Sequence, residues 1–203
     1  MGSAASTSTP ALPVSCAASL PAMNKPTYMA WFFPTFGVQT DKTFAELPAS
    51  PRFKIVDEAQ SVMAARDYIS GGHIVIDTEA NLARVDFAEV ARGCDLLVIP
   101  AVPETTATDG LTYTLKALRD IGTSRYRVLL TKVRPKPNSD ADELRRNLAG
   151  ADIPVFSASI PNLIAFDKAS AHGVAVNDAP DPYAARAWEA YQSAGKEIIN
   201  GQQ

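Results

Sequence analysis

The chain has 203 residues, of which 46% are hydrophobic and 20% charged, and carries a net charge of −3. That supports one sizeable core and one domain without a staple, and it excludes a protein that is basic overall and binds polyanions through bulk charge. No apolar run approaches the ~18 residues that cross a bilayer, so no membrane is expected as a partner. The two cysteines, Cys16 and Cys94, are far apart and are read as reduced thiols of a cytoplasmic protein.

The first 22 residues contain no Lys or Arg and are mostly Ala, Ser, Thr and Pro, which is unlike the basic start of a signal peptide. Met1-Gly-Ser-Ala-Ala-Ser6 matches the literal N-myristoylation pattern, but an Ala/Ser tract meets that pattern by chance. Met29 to Phe33 has strand character and is cut off at once by Pro34, and Pro48 and Pro51 break the stretch beyond it. Residues 1–51 are therefore read as an atypical, irregular segment, and 52–203 as the structured domain.

From Arg52 onward strands and helices alternate. Phe53 to Val56 predicts a strand, Glu58 to Ile69 a helix, Ile74 to Ile76 a strand, and Asp86 to Ala91 part of a helix. Leu96 to Ile99 (strand), Thr106 to Arg119 (helix), Arg127 to Leu130 (strand) and Asp140 to Leu148 (helix) continue the pattern. A short strand, Pro154 to Phe156, precedes helical patterns at Leu163–Ala171 and Tyr183–Ile199. Such alternation builds βαβ units, hence an α/β fold with a parallel sheet and flanking helices. Gly93, Gly122, Gly150 and Gly173 fall near the predicted helix ends, where a left-handed cap is wanted.

The densest chemical signal is His73-Ile-Val-Ile-Asp77-Thr-Glu-Ala-Asn81. An apolar, β-branched run that ends in one carboxylate delivers that Asp to the carboxyl edge of a parallel sheet, where open α/β folds bind ligands. There it can hold a water on Mg²⁺ or orient an attacking water beside a phosphate. It can equally cap the next helix or start a turn.

A series of blocks then resembles the ParA-type partition ATPases, the deviant P-loop group that also contains MinD. The blocks are Phe53-Lys-Ile-Val-Asp-Glu58, His73 to Thr78, Gly93-Cys-Asp-Leu-Leu-Val-Ile-Pro100 and Arg127-Val-Leu-Leu-Thr-Lys-Val133, the last followed by Arg-Pro-Lys-Pro. Ile160-Pro-Asn-Leu-Ile-Ala-Phe166, His172-Gly-Val-Ala-Val176 and Ala187-Trp-Glu-Ala-Tyr191 complete the order. Their sequence and spacing run from about residue 52 to 200. The resemblance implies a P-loop NTPase-like three-layer αβα fold, incomplete at the N-terminus, and DNA segregation on a plasmid or chromosome. It implies ATP and Mg²⁺ as cofactors, with Asp77 as the catalytic aspartate that organises metal and water. Thr131, Lys132 and Pro161 become candidates for the nucleotide base pocket. It also implies nonspecific DNA, a centromere-binding protein and a second copy of the chain as partners.

Two departures bear on activity. Glu79 stands where the family commonly has Pro, and a second carboxylate near a γ-phosphate repels it. No G-x-x-x-x-G-K-[ST] loop is present, so the backbone amides and lysine that cradle phosphates are missing. Phe36-Gly-Val-Gln-Thr-Asp-Lys-Thr43 faintly resembles such a loop but lacks the glycines and adds Asp41. Hydrolysis is therefore expected to be defective. A frameshifted or truncated amino end and an evolved replacement cover are both open explanations of residues 1–51.

Charge is uneven along the chain. Lys116, Arg119, Arg125, Arg127, Lys132, Arg134, Lys136, Arg145 and Arg146 face four acids in the same stretch, a local balance of +5. Arg134, Lys136, Arg145 and Arg146 are the best candidates for DNA phosphate contacts, against the alternative of a solvated surface. His73 and His172 lack metal-ligand spacing, and no metal site is expected from them.

Overall fold

The computed structural model describes residues 27–32, 73–78, 84–135, 137 and 140–200. Five strands form one parallel sheet: β1 (Thr27–Phe32), β2 (His73–Thr78), β3 (Leu96–Ala101), β4 (Tyr126–Val133) and β5 (Val155–Pro161). The helices are α1 (Arg84–Gly93), α2 (Thr105–Ile121), α3 (Asp140–Gly150), α4 (Ile164–His172) and α5 (Ala184–Asn200), with a 3₁₀ turn at Val176–Asp178. Among the described residues no helix is long and apolar enough to cross a membrane.

The order across the sheet is β2-β1-β3-β4-β5, with every neighbouring pair parallel. The stretch with strand character, Met29 to Phe33, overlaps β1, and Thr27–Phe32 fills the position between β2 and β3. The strand character is legible in the sequence, but its place between β2 and β3 is not, since six residues flanked by breakers carry little signal. The expected strand at Phe53–Val56, the helix at Glu58–Ile69 and the boundary at 51/52 lie outside the described residues.

Period-two alternation sends the side chains of β3 and β4 to two cores. Leu97, Ile99, Ala101, Val128 and Leu130 pack with Phe87, Val90 and Ala91 of α1, Leu111 and Leu118 of α2, and Leu148 of α3. Val98 and Leu129 point the other way and join Phe156, Ile160, Ala194 and Ile198 beneath α5. Helices thus cover both faces, which is why β3 is apolar in nearly every position. Ala165, Ala169, Val176, Ala179, Ala184 and Ala187 form a third cluster, where small side chains let α4, the 3₁₀ turn and α5 approach closely.

Helix ends follow local chemistry. Gly122 takes φ 77°, and its N–H donates to the carbonyls of Leu118 and Arg119 at the end of α2. Gly173 does the same for α4 at φ 62°. Gly150 does not; α3 continues through it, and Asp152 takes the left-handed conformation instead, at φ 56°. Pro100 is tolerated inside β3 because the register with β1 ends at Val98, so no ladder bond on that side requires the N–H that proline lacks.

Candidate functional site

A parallel sheet puts all strand carboxyl ends on one edge. The chain runs outward from β1 to β2, then returns to β3 on the other side of β1 and continues outward to β5. That reversal between β1 and β3 is a topological switch point, where open α/β sheets bind ligands. Asp77 is next to last in β2 and pairs in register with Trp31, while Thr78 pairs with Phe32. Asp77 is thus carried at the carboxyl edge, one strand from the switch point.

On the other side of that point β3 leads through Glu104 into α2. Glu104 is the N-cap residue in extended backbone, and its side chain makes no capping bond. Its Oε1 instead accepts from Nη2 of Arg134 at 3.0 Å, across the ends of β3 and β4. Both side chains are about half exposed, 58% for Arg134 and 48% for Glu104, so the pair is worth roughly 0–1 kcal/mol.

Thr131, Lys132 and Pro161 come together at this edge. Val133 pairs with Pro161, and the N–H of Asn162 donates to the Val133 carbonyl at 2.8 Å. The register slips between Leu130 and Val133, and Lys132 sits in that slip with φ 51°, a left-handed conformation that a non-glycine residue adopts at some cost. Beside these residues opens a cleft of about 390 Å³, lined by Val133, Arg134, Pro161, Asn162 and, from α5, Arg186 and Glu189. Asp77 lies away from it; β2 and β4 are three strand spacings apart, roughly 14 Å.

The basic residues proposed for DNA divide. Arg134 is held by Glu104, and Arg146 is exposed on α3. Arg145 is half buried and its Nη1 donates to the Phe156 carbonyl, tying α3 to β5. Lys136 lies outside the described residues. Arg127 is also committed internally, its guanidinium 5.1 Å from the centre of the Phe156 ring, a cation–π contact over a fully buried aromatic.

Cys94 is fully buried, and burial pushes its thiol up to about 11, which leaves it inert. His172 is exposed in the last turn of α4 with its Nδ1 2.9 Å from the Lys168 carbonyl. Among the described residues no group of three or more His, Cys, Asp or Glu could hold a metal ion. Nothing in the sequence marks the Glu104–Arg134 pair or the left-handed Lys132; each depends on how two strand ends meet.

No protein-family model matches the chain. It is 35% identical over 109 residues to the maintenance of carboxysome distribution protein A of Gloeobacter kilaueensis, a match covering 52% of this chain and 50% of that protein. The matched part thus spans half the length of that curated relative. Among solved structures, the MinD cell division protein of Aquifex aeolicus superposes with a TM-score of 0.55 at 12% identity, covering 87% of this chain and 85% of the other. A ParA family ATPase from Chlorobium tepidum gives 0.54 at 15%, covering 85% and 87%.

The parallel sheet and its covering helices are therefore those of a ParA/MinD-type α/β protein. The sequence relationship covers about half of each chain, and the likeness to these solved structures, at 12% and 15% identity, is one of fold.

Proposed function

We propose that the chain works in ParA-type segregation or positioning of a cargo, by descent from an ATP-dependent factor and with nucleotide hydrolysis lost or weakened. What carries this reading is the arrangement of the carboxyl edge: Asp77 on one side of the switch point, and Thr131, Lys132 and Pro161 gathered on the other. An extended nucleoside triphosphate can bridge that distance, with its base near Pro161 and its phosphates toward Asp77. The cargo in this reading is a plasmid or chromosome. Likeness to a carboxysome-distribution protein supports a protein body as the alternative cargo.

The residues at hand fit the two ends of such a ligand unequally. The half-buried Pro161 ring and the exposed Asn162 give the cleft wall an apolar surface and a hydrogen-bonding group suitable for a base, and Thr131 precedes the lining residue Val133 by two positions on β4. The sequence after β1 lacks the glycines that aim backbone amides at phosphates, and it carries Asp41. A non-catalytic binding protein is the second reading, favoured by that same missing loop.

Equilibrium titration of the full chain with Mg·ATP tests the proposal. Affinity no tighter than roughly millimolar, with turnover at background, is expected. Micromolar affinity lost on Asp77→Ala would overturn the expected weak binding and mean that residues 24–50 supply a phosphate site.

A further inference from the structure

Two ionic side chains of α5 line the cleft beside Pro161. Arg186 and Glu189 are both exposed there, and neither side chain has a hydrogen-bond or ion-pair partner among the described residues. They stand three positions apart on one helix, which sets them side by side with Cβ atoms roughly 5–6 Å apart. One wall of the cleft therefore presents a donor fork and, next to it, a carboxylate that only accepts. Much of the remaining lining is already paired. The Asn162 N–H donates to the Val133 carbonyl, and Arg134 is held by Glu104.

An ionised carboxylate is matched by two adjacent N–H donors. Among the nucleobases only guanine carries such a pair, N1–H beside the N2 amino group. Adenine and cytosine set their amino group next to a ring nitrogen that accepts, and uracil has a single N3–H between two carbonyls. The O6 and N7 acceptors of guanine continue along the same side of the ring, and they are the bidentate partner of an arginine. From N7 through O6 and N1 to N2 that edge runs acceptor, acceptor, donor, donor, in the order that Arg186 and then Glu189 require. A cleft of about 390 Å³ admits one purine.

We propose that Arg186 and Glu189 make this cleft selective for guanine, with Glu189 accepting from N1–H and N2–H and Arg186 donating to O6 and N7. The inference rests on the cleft being the base end of a nucleotide site, and it names the base. Against adenine the Glu189 carboxylate would face the N1 lone pair, so selection comes from repulsion as well as attraction. Both side chains are exposed, so the base alone is held weakly and the effect is a ratio of affinities.

The test is an NMR titration of the full chain with guanosine, inosine and adenosine monophosphates (GMP, IMP and AMP), following backbone amide shifts. Monophosphates keep the contribution of a phosphate loop small, and IMP lacks only the N2 amino group. The amides of Asn162 and Ala190 are expected to shift, with GMP bound at least roughly fivefold tighter than AMP and IMP between them. Glu189→Gln, at an exposed position that leaves the melting midpoint unchanged, removes the preference for GMP over AMP. Arg186→Met weakens GMP and IMP alike and keeps the order between them. AMP bound at these amides as tightly as GMP, or a guanine preference that survives Glu189→Gln, would overturn the inference and leave the base end of the site standing. If no nucleotide shifts these amides, the cleft is not a base site and the inference falls with it.

Discussion

Glu197 on α5 is bonded to two successive backbone N–H groups of β5: Oε2 accepts from Ser157 at 2.8 Å and Oε1 accepts from Ala158 at 2.5 Å. The reason lies in the register, since Val128 pairs with Val155 but Leu130 pairs with Ser159, so β5 carries extra residues that β4 does not match. The carboxylate takes over donors displaced from the ladder. Glu197→Gln keeps one acceptor oxygen and presents an NH₂ group where the second should be. A loss of roughly 1–3 kcal/mol is expected in urea unfolding. An unchanged midpoint would show that solvent satisfies these amides.

Asp181 is held below its ordinary value of 3.8, chiefly by its hydrogen bond from Lys168 and then by the Tyr183 N–H. The Lys168 Nζ lies 2.9 Å from the Asp181 carboxylate, whose side chain is only 3% exposed. A carboxyl group with a depressed folded pKa stabilises the protein above its unfolded value and stops doing so as pH falls through the folded one. Asp181→Asn should therefore be less stable than wild type at pH 7, with the gap narrowing below about pH 4. A gap that is constant from pH 7 to pH 2 would remove the ion pair from the account.

Gly122 closes α2 in the left-handed region at φ 77°. A Cβ there meets no other atom within 4 Å, so the cost of Gly122→Ala is conformational, about 1–2 kcal/mol. Gly110 stands inside the same helix, where a glycine is weakening and a Cβ also meets nothing within 4 Å, so comparison with Gly110→Ala separates the two glycines. In thermal melts the first is expected to destabilise the chain and the second to stabilise it.

DNA binding through the basic cluster would be weak, without sequence preference, and steeply reduced by salt. Because Arg145 is tied to the Phe156 carbonyl, its replacement disturbs α3 as well as charge. Arg134→Glu, Lys136→Glu and Arg146→Glu form the better triple variant. Loss of a low-salt gel shift in this variant, with an unchanged melting curve, supports the patch. Equal shifts by wild type and variant identify a solvated surface.

Legibility in the sequence tracked how local each cause was. The apolar runs at 96–99 and 127–130 announced β3 and β4 because both their faces are buried, and Gly122 and Gly173 announced helix ends because only the backbone there matters. β1 was harder to see; six residues before a proline look like many loops, and its central place depends on partners distant in sequence. Asp77 was visible as a strand-end carboxylate. The cleft beside Pro161 was visible only as resemblance, since Arg186 and Glu189 reach it from a helix that begins more than twenty residues later. Glu197 could not be foreseen, because its purpose is to repair a register slip that the sequence of β5 does not advertise.

The register between β1 and β3 has a mechanical consequence. Three pairs join these strands, Met29 with Leu96, Ala30 with Leu97 and Trp31 with Val98, whereas six join β1 to β2 and five join β3 to β4. The seam at the switch point is thus shorter than either seam beside it, and on β3 it is fastened only at the amino end. Local opening is cheapest where the fewest contacts must break. Amide exchange should part the sheet there first, separating two strands from three like a zipper released at one end, while each group keeps its own ladder.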